Sequence, residues 1–472
     1  MRYSSQGRFR QQVRFLQQQF LQDGNLPFSD ILSTGLIEQA LTALHVGLVD
    51  CVYTPLVTLC VFLGQVLSAD HSCRAAVARL IAYRVARKQR ACSPETGAYC
   101  LARKRLPEEF FSQIARQTGR QLDAKAKSEW LWKNRRVYIF DGATVSMPDT
   151  YANQQAYPQP PQQKPGLGFP LMRIAVIFSL ACGAVLDLGM CRYAGKGQSE
   201  LALLRQLWSI FQPGSIMLAD RLMCAWTELV MLKQRDVDSV CRFTSHRKAD
   251  FRRGKRLGKD DHIVTWHKPT KPRSIDRQTY NTLPESLTIR ECRVPIAQPG
   301  FRVKVVVIAT TLLDHVAYPP SELAKLYRAR WNAELDLRSL KQTLQMDVLR
   351  CKTPELVRKE LWTHILAYNL IRTIIAQAAH KHHLEPRSLS FKGAIQTLEA
   401  FQPVIALQGE HDAARRLSLY HILLDAIATH RVADRPDRYE PRVKKRHHRK
   451  FAYLRKPRTQ IKRDMAKGLI VI

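Results

Sequence analysis

Beyond Val137 the chain changes texture, and that change narrows the folds open to it. Three strand-like runs follow one another there, VYIFDGATV, LMRIAVIFSL and AVLDLGMCRYA, the last two parted by a tight Ala-Cys-Gly-Ala turn at 181–184. A helix over about 198–211 then leads through Pro213 and Gly214 into SIMLAD. A second helix over 225–234 is followed by SVCRFT. Three strands followed by helix–strand alternation describe an α/β domain built on a mixed sheet. At 472 residues the chain exceeds one ordinary core, so two or three domains are expected.

The flanks have other rhythms. Residues 1–130 read as helical, with three- and four-residue apolar spacing over 31–49, 55–67, 73–88 and 108–118 and a break at Ser93 and Pro94. The third of these carries Arg74, Arg79, Arg84, Arg87 and Lys88 on its outer side, a face suited to a duplex or simply to solvent. The Pro-, Gln- and Gly-rich stretch 151–170 reads as a loop. Over 248–299 the alternation breaks into basic, glycine-punctuated sequence ending in the strand LTIRECRVPI, which reads as a β-rich insertion. FRVKVVVIATTL and helices from Ser321 resume the α/β domain. A helical block over 353–432 has Trp362, Leu366, Tyr368, Leu370 and Ile371 as a core stripe. The division expected is therefore 1–130 helical and DNA-binding, 131–247 with 300–352 as the α/β core, 248–299 inserted, 353–432 helical and 433–472 a basic tail.

A net charge of +34 alongside 45% hydrophobic residues describes a folded protein and favours a polyanionic partner, either nucleic acid or a membrane surface. The tail segment 442–463 holds eleven Lys or Arg and no acid, with Phe451 and Tyr453 interleaved; it suits phosphate neutralisation, or else mere solubility. No membrane role is expected. MRYSSQGRFRQQ has no apolar run behind it, and the longest apolar segment, 52–67, contains Pro55 and Gln65 and is too short for a bilayer. Eleven cysteines form no CxxC pair, which fits reduced thiols in a cytoplasmic protein. His380, His382 and His383 lack cysteine neighbours and read as a polar helix end.

Three separated acids carry the chemistry. Asp141 follows VYIF, Asp220 ends SIMLA, and Glu334 stands in YRARWNAELDLRSLKQTL. On a regular helix Tyr327, Arg330, Glu334 and Lys341 fall within a sector of about 60°, one face with a phenol, two cations and a carboxylate. Oxygen donors of this kind suit Mg2+ or Mn2+ rather than a thiolate or histidine metal. Two such ions about 3.5–4 Å apart would polarise a phosphodiester and stabilise its leaving oxygen.

The spacing Tyr327-x2-Arg330-x3-Glu334-x6-Lys341 resembles the signature of IS4-type bacterial insertion-sequence transposases, a branch of the DDE transposases. DGATV at 141–145 and ADR at 219–221 resemble the two aspartate blocks in their expected order, and TGAYCLARKRLP at 96–107 resembles a recurrent amino-terminal stretch. The likeness spans about 70–400. It implies an RNase H-like mixed-sheet core with a β-rich insertion and flanking helical domains. It also implies a two-metal site on Asp141, Asp220 and Glu334, with Tyr327, Arg330 and Lys341 on the DNA phosphates. The partners implied are double-stranded DNA, as inverted-repeat ends and target, and a second copy of the chain in a dimeric synaptic complex acting at the nucleoid. Relatives place a tryptophan of the insertion on a flipped base. Trp266, the insertion's single tryptophan, is the candidate here, with an ordinary packing role beside it. Leu222 departs from the glycine that relatives often carry after the second aspartate and arginine. A nuclease without strand transfer would share every acid, whereas a non-catalytic DNA-binding descendant of a transposase need not keep all three.

Overall fold

The computed structural model describes residues 2–47, 51–244, 247–295, 305–409, 412–432 and 453–469, with 2–6 by backbone alone. The amino-terminal part is helical as expected: α1 (Arg2–Gln19), α2 (Thr34–Ala43), α3 (Pro55–Leu67), α4 (Cys73–Ala86), α5 (Gly97–Arg105) and α6 (Glu108–Ala124). Local chemistry starts them where it should. Thr54 accepts from the Val57 amide with Pro55 in the first turn, and Ser72 accepts from the Ala75 amide.

The strands follow with β1 (Val137–Ser146), β2 (Leu171–Ser179) and β3 (Val185–Arg192) as an antiparallel meander. Gly183, at φ +81°, makes the tight turn into β3. Between β1 and β2 lies a short helix, α7 (Tyr151–Ala156), in the stretch expected to be entirely loop. Thr150 caps it by accepting from the Asn153 amide. Next come α8 (Glu200–Gln206), β4 (Ile216–Ala219), α9 (Trp226–Lys233) and β5 (Asp238–Arg242). β4 joins β1 in parallel and β5 joins β4 in parallel. The order β3-β2-β1-β4-β5 with these directions is the RNase H-like core.

The insertion does not form a separate body. β6 (Lys255–Gly258), β7 (Asp261–His267), the short α10 (Arg277–Asn281), β8 (Ser286–Pro295) and β9 (Val305–Thr310) continue the sheet antiparallel. β9 pairs with β5, so nine strands form one sheet in the order β3-β2-β1-β4-β5-β9-β8-β7-β6. The start of FRVKVVVIATTL, residues 301–304, lies outside the described residues.

α11 (Pro320–Ala329) and α12 (Trp331–Arg338) return to the core, and α13 (Pro354–Lys381), α14 (Phe391–Gln408) and α15 (Ala413–Thr429) complete the helical side. The apolar stripe on α13 is wholly buried, Trp362 and Tyr368 included. Asn369 on α13 accepts from the Val185 amide and donates to the carbonyls of Val185 and Ala115, tying β3 to α6. α6 runs so close to β3 that a Cβ on Gly119 would meet the Val185 carbonyl oxygen at 1.9 Å. The helices from both ends of the chain share one core: Gln377 donates to the Leu21 carbonyl, and Arg416 pairs with Asp23. Of the basic tail, 433–452 lies outside the described residues. α16 (Arg458–Ala466) follows, with Pro457 against Gly166 of the β1–β2 connection. Among the described residues no helix is long and apolar enough to cross a membrane.

Candidate active site

β1 explains why an aspartate is placed where it is. Val137, Tyr138, Ile139 and Phe140 are all buried, a continuous apolar run covered on both faces of the sheet. From Asp141 the strand emerges half-buried but keeps its pairing, opposite Val176 and onward to Ser146 opposite Leu171. Asp141 therefore lies inside the strand. The strand-like run VYIFDGATV already carried Asp141 within it, directly after the apolar VYIF.

The parallel partner brings the second acid alongside. Ile139 is opposite Leu218, so two residues on, Asp141 is level with Asp220 and on the same face. Asp220 leaves β4 by capping a single 3-10 turn, Arg221–Met223, accepting from the Leu222 amide at 2.8 Å. Leu222, where a glycine was the family expectation, is exposed on this turn. Leu218 opposite Val240 likewise sets Arg242 level with Asp220.

Tyr327, Arg330, Glu334 and Lys341 reach the same place along a helical path less regular than a single α-helix. α11 ends before Arg330, α12 begins after it, and Lys341 lies in a π-helical turn, Ser339–Thr343. The wider turn rotates Lys341 from the position a regular helix gives it. All four still line one cavity of about 970 Å³ with Asp141 and Asp220. Glu200, Arg242 and Arg338 line it too. The sequence reading missed these three. Arg242 was detectable from the shared register of the parallel strand ends, and Glu200, in the first turn of a Ser199-capped helix, looked like helix-end chemistry alone.

Charge is tightly interlocked at the cavity. Arg330 donates to Glu334 Oε1 at 3.0 Å and lies 3.7 Å from Asp141 Oδ2. Burial drives the Asp141 carboxyl up to about 6. Arg330 and the Gly142 amide act against that rise, and Asp220 and Glu334 add to it. Burial disfavours the Arg330 charge but is outweighed by Tyr327, Asp141 and Glu334, so its pKa is raised. Burial also pushes the Tyr327 phenol up to about 12. Three acids in one cavity, two of them pushing the pKa of the third upward, supply oxygen donors of the type a hard divalent cation takes.

Beneath the site, α12 is anchored by Asp336, fully buried two residues after Glu334. Its carboxylate pairs with Arg372 of α13 and with Arg387, and Arg387 also donates to the carbonyls of Ser179 and Leu180 at the end of β2. On the opposite wall Glu200 accepts from Arg173 at 3.0 Å. It lies so near the β1 backbone that a Cβ on Gly142 would come within 2.5 Å of its carboxyl carbon.

Trp266 is not among the residues lining the cavity. It is 4% exposed, donates to Glu291 Oε1 at 2.7 Å, meets Phe243 edge-on and carries the Arg247 guanidinium over its ring at 4.2 Å. Its carbonyl accepts from the Trp226 indole. These contacts match the packing role considered for it. None of the eleven cysteines is in a disulfide or exposed.

The family model described as Transposase DDE domain matches residues 132–370, half of the chain. The chain is 29% identical over 296 residues to the transposase InsG for insertion sequence element IS4 of Escherichia coli (strain K12), a match covering 61% of this chain and 63% of that relative. It is 39% identical over 69 residues to the transposase for insertion sequence element IS421 of Escherichia coli, covering 15% of this chain and 19% of that one. Among solved structures, a cryo-EM piggyBac transposase synaptic complex with hairpin DNA aligns at 10% identity and a TM-score of 0.34, over 62% of this chain and 57% of that one.

Proposed function

The chain belongs to the DDE-domain transposase family as an IS4-type member, and from this we propose that it is a DNA transposase that cleaves the inverted-repeat ends of its own element and joins them to target DNA. The observation that carries the reading is the convergence of Asp141, Asp220 and Glu334 with Tyr327, Arg330 and Lys341 on one cavity at the end of a parallel strand pair. In this reading the three carboxylates hold two Mg2+ or Mn2+ ions. When bound, these ions polarise the scissile phosphodiester and lower the pKa of the attacking water.

The remaining work falls to the chain's own groups. Lys341, Arg330 and the Tyr327 hydroxyl grip the phosphates of the end and align the scissile bond with the acids, so their catalytic value is orientation. The nucleophile is water in the first cut and the freed 3′-hydroxyl in joining; one phosphoryl-transfer site serves both. Double-stranded DNA, as element ends and target, is the substrate, and the basic helices and tail supply affinity that falls steeply with salt. A dimer of the chain in the end complex and action at the cytoplasmic nucleoid belong to the same proposal.

The test uses duplexes taken from the DNA flanking the gene. Asp141→Asn, Asp220→Asn and Glu334→Gln are each expected to abolish cleavage while gel shifts of the same duplex persist, because metal-holding acids serve the transition state and cations supply affinity. Near-normal cleavage by any one variant removes that residue from the site. Cleavage without joined products in the wild type would make the protein a nuclease.

A further inference from the structure

Arg330 stands where a cation is wanted. It occupies the junction between α11 and α12, its side chain is 17% exposed, and it bridges carboxylates from two different elements, Asp141 of β1 and Glu334 of α12. The other cations lining the cavity behave differently. Among the described residues no ion pair joins Arg221, Arg242, Arg338 or Lys341 to Asp141, Asp220 or Glu334. Nor does any group of three His, Cys, Asp or Glu lie at a separation that would hold a metal ion among the described residues. The acids share a cavity, and two of them are paired to one guanidinium.

We propose that Arg330 is the resident counter-cation of the DNA-free site and that it must leave these carboxylates for a divalent ion to be held, so that metal loading is coupled to engagement of DNA phosphate. A guanidinium and a divalent ion on the same two carboxylates repel strongly at such short range. A phosphodiester gives Arg330 an alternative partner matched to its planar fork. DNA entry then draws Arg330 off Asp141 and Glu334, and the acids close on the metal. By linkage each ligand raises the affinity of the other. The protein is thereby kept from cleaving before a DNA strand is in place. The proposal deepens the transposase reading by naming the regulation of that site, and it rests on that reading only for the identity of the phosphate.

The experiment titrates Mn2+ into the DNA-free full chain, with free Mn2+ followed by electron paramagnetic resonance and heats by calorimetry. Arg330→Ala is expected to bind Mn2+ about tenfold more tightly than wild type, within the range usual for coupled sites. Arg330→Lys, which keeps the charge without the fork, should fall between the two, and Arg338→Ala should stay close to wild type. A short duplex of arbitrary sequence should tighten Mn2+ binding by wild type and leave Arg330→Ala unchanged. Equal or weaker Mn2+ binding by Arg330→Ala overturns the proposal, as does an equal gain from Arg338→Ala, which would mean a general field rather than a bridge. If Arg330→Ala melts unfolded, Arg330→Lys and Arg330→Gln decide by the same criterion. Cleavage of the flanking DNA by wild type separates the two readings. Cleavage with no Arg330 effect ends this inference alone, and an intact Arg330 effect with no cleavage ends the transposase reading alone.

Discussion

Removing a negative charge from the site should make the protein more stable while making it inactive, and Asp141→Asn is the sharpest case. The carboxyl titrates at about 6 in the folded chain against 3.8 ordinarily, chiefly because burial disfavours its charged form, with Asp220 and Glu334 adding repulsion. The sign follows from proton counting. Between pH 3.8 and 6 the folded state holds the proton that the unfolded state has released, so stability falls as pH rises through that window and the loss is complete above it. A shift of about 2 units corresponds to about 3 kcal/mol. With part of the carboxyl open to solvent, about 1–3 kcal/mol is the realistic range.

Asparagine keeps an oxygen for the Gly142 amide that Asp141 Oδ1 now holds at 2.9 Å, and Arg330 retains Glu334. Urea unfolding in the presence of a chelator should therefore show Asp141→Asn more stable than wild type by that amount at neutral pH. The gain should shrink as pH falls through 6 and disappear near 4. Adding Mn2+ should stabilise the wild type and reduce or reverse the gap, since binding to the folded state alone adds stability. A destabilised Asp141→Asn at neutral pH, or a gain that does not vary with pH, would refute the account of this site as a set of mutually repelling acids.

Further outcomes follow from other parts of the molecule. Asp336→Ala strands the buried Arg372 and the half-buried Arg387 without their carboxylate and should cost about 3–5 kcal/mol in denaturant unfolding; a loss below about 1 kcal/mol would mean these arginines find other partners. Trp266→Ala should lower stability by about 3–5 kcal/mol and depress nicking and later steps together, whereas selective loss of a hairpin step with unchanged melting would restore the base-stacking role. Deleting residues 442–472 should reduce the slope of log K against log salt by about 0.9 for each DNA phosphate that the tail neutralises, and an unchanged slope would leave the tail a solubilising segment.

How much of this was legible in the sequence depends on which physical signal each feature leaves. Apolar runs with turn residues between them are strong signals, so β1 to β5 and α13 were readable, and so was the insertion as β-rich sequence. The run VYIFDGATV was legible as a strand through Val145 even past its apolar part, and its ladder with β2 runs to Ser146. α7 was hidden because prolines and glutamines dominate its neighbourhood, while the Thr150 cap that starts it is a single residue. That the insertion strands extend the core sheet depends on β9 pairing with β5, a contact between residues far apart in the chain that no local pattern announces. The four-residue ladder illustrates the difference between spacing and geometry. Its spacing placed Tyr327, Arg330, Glu334 and Lys341 near one another, and the cavity holds all four, yet the chain gets there through a break at Arg330 and a π turn at Lys341. That break carries a consequence for the chemistry. A regular helix would explain the Arg330–Glu334 pair by i,i+4 spacing alone, but only the junction of α11 and α12 against β1 adds Asp141 to it. Two acids from distant parts of the sequence thus share one guanidinium, and the charge balance of the site belongs to the fold rather than to any single motif.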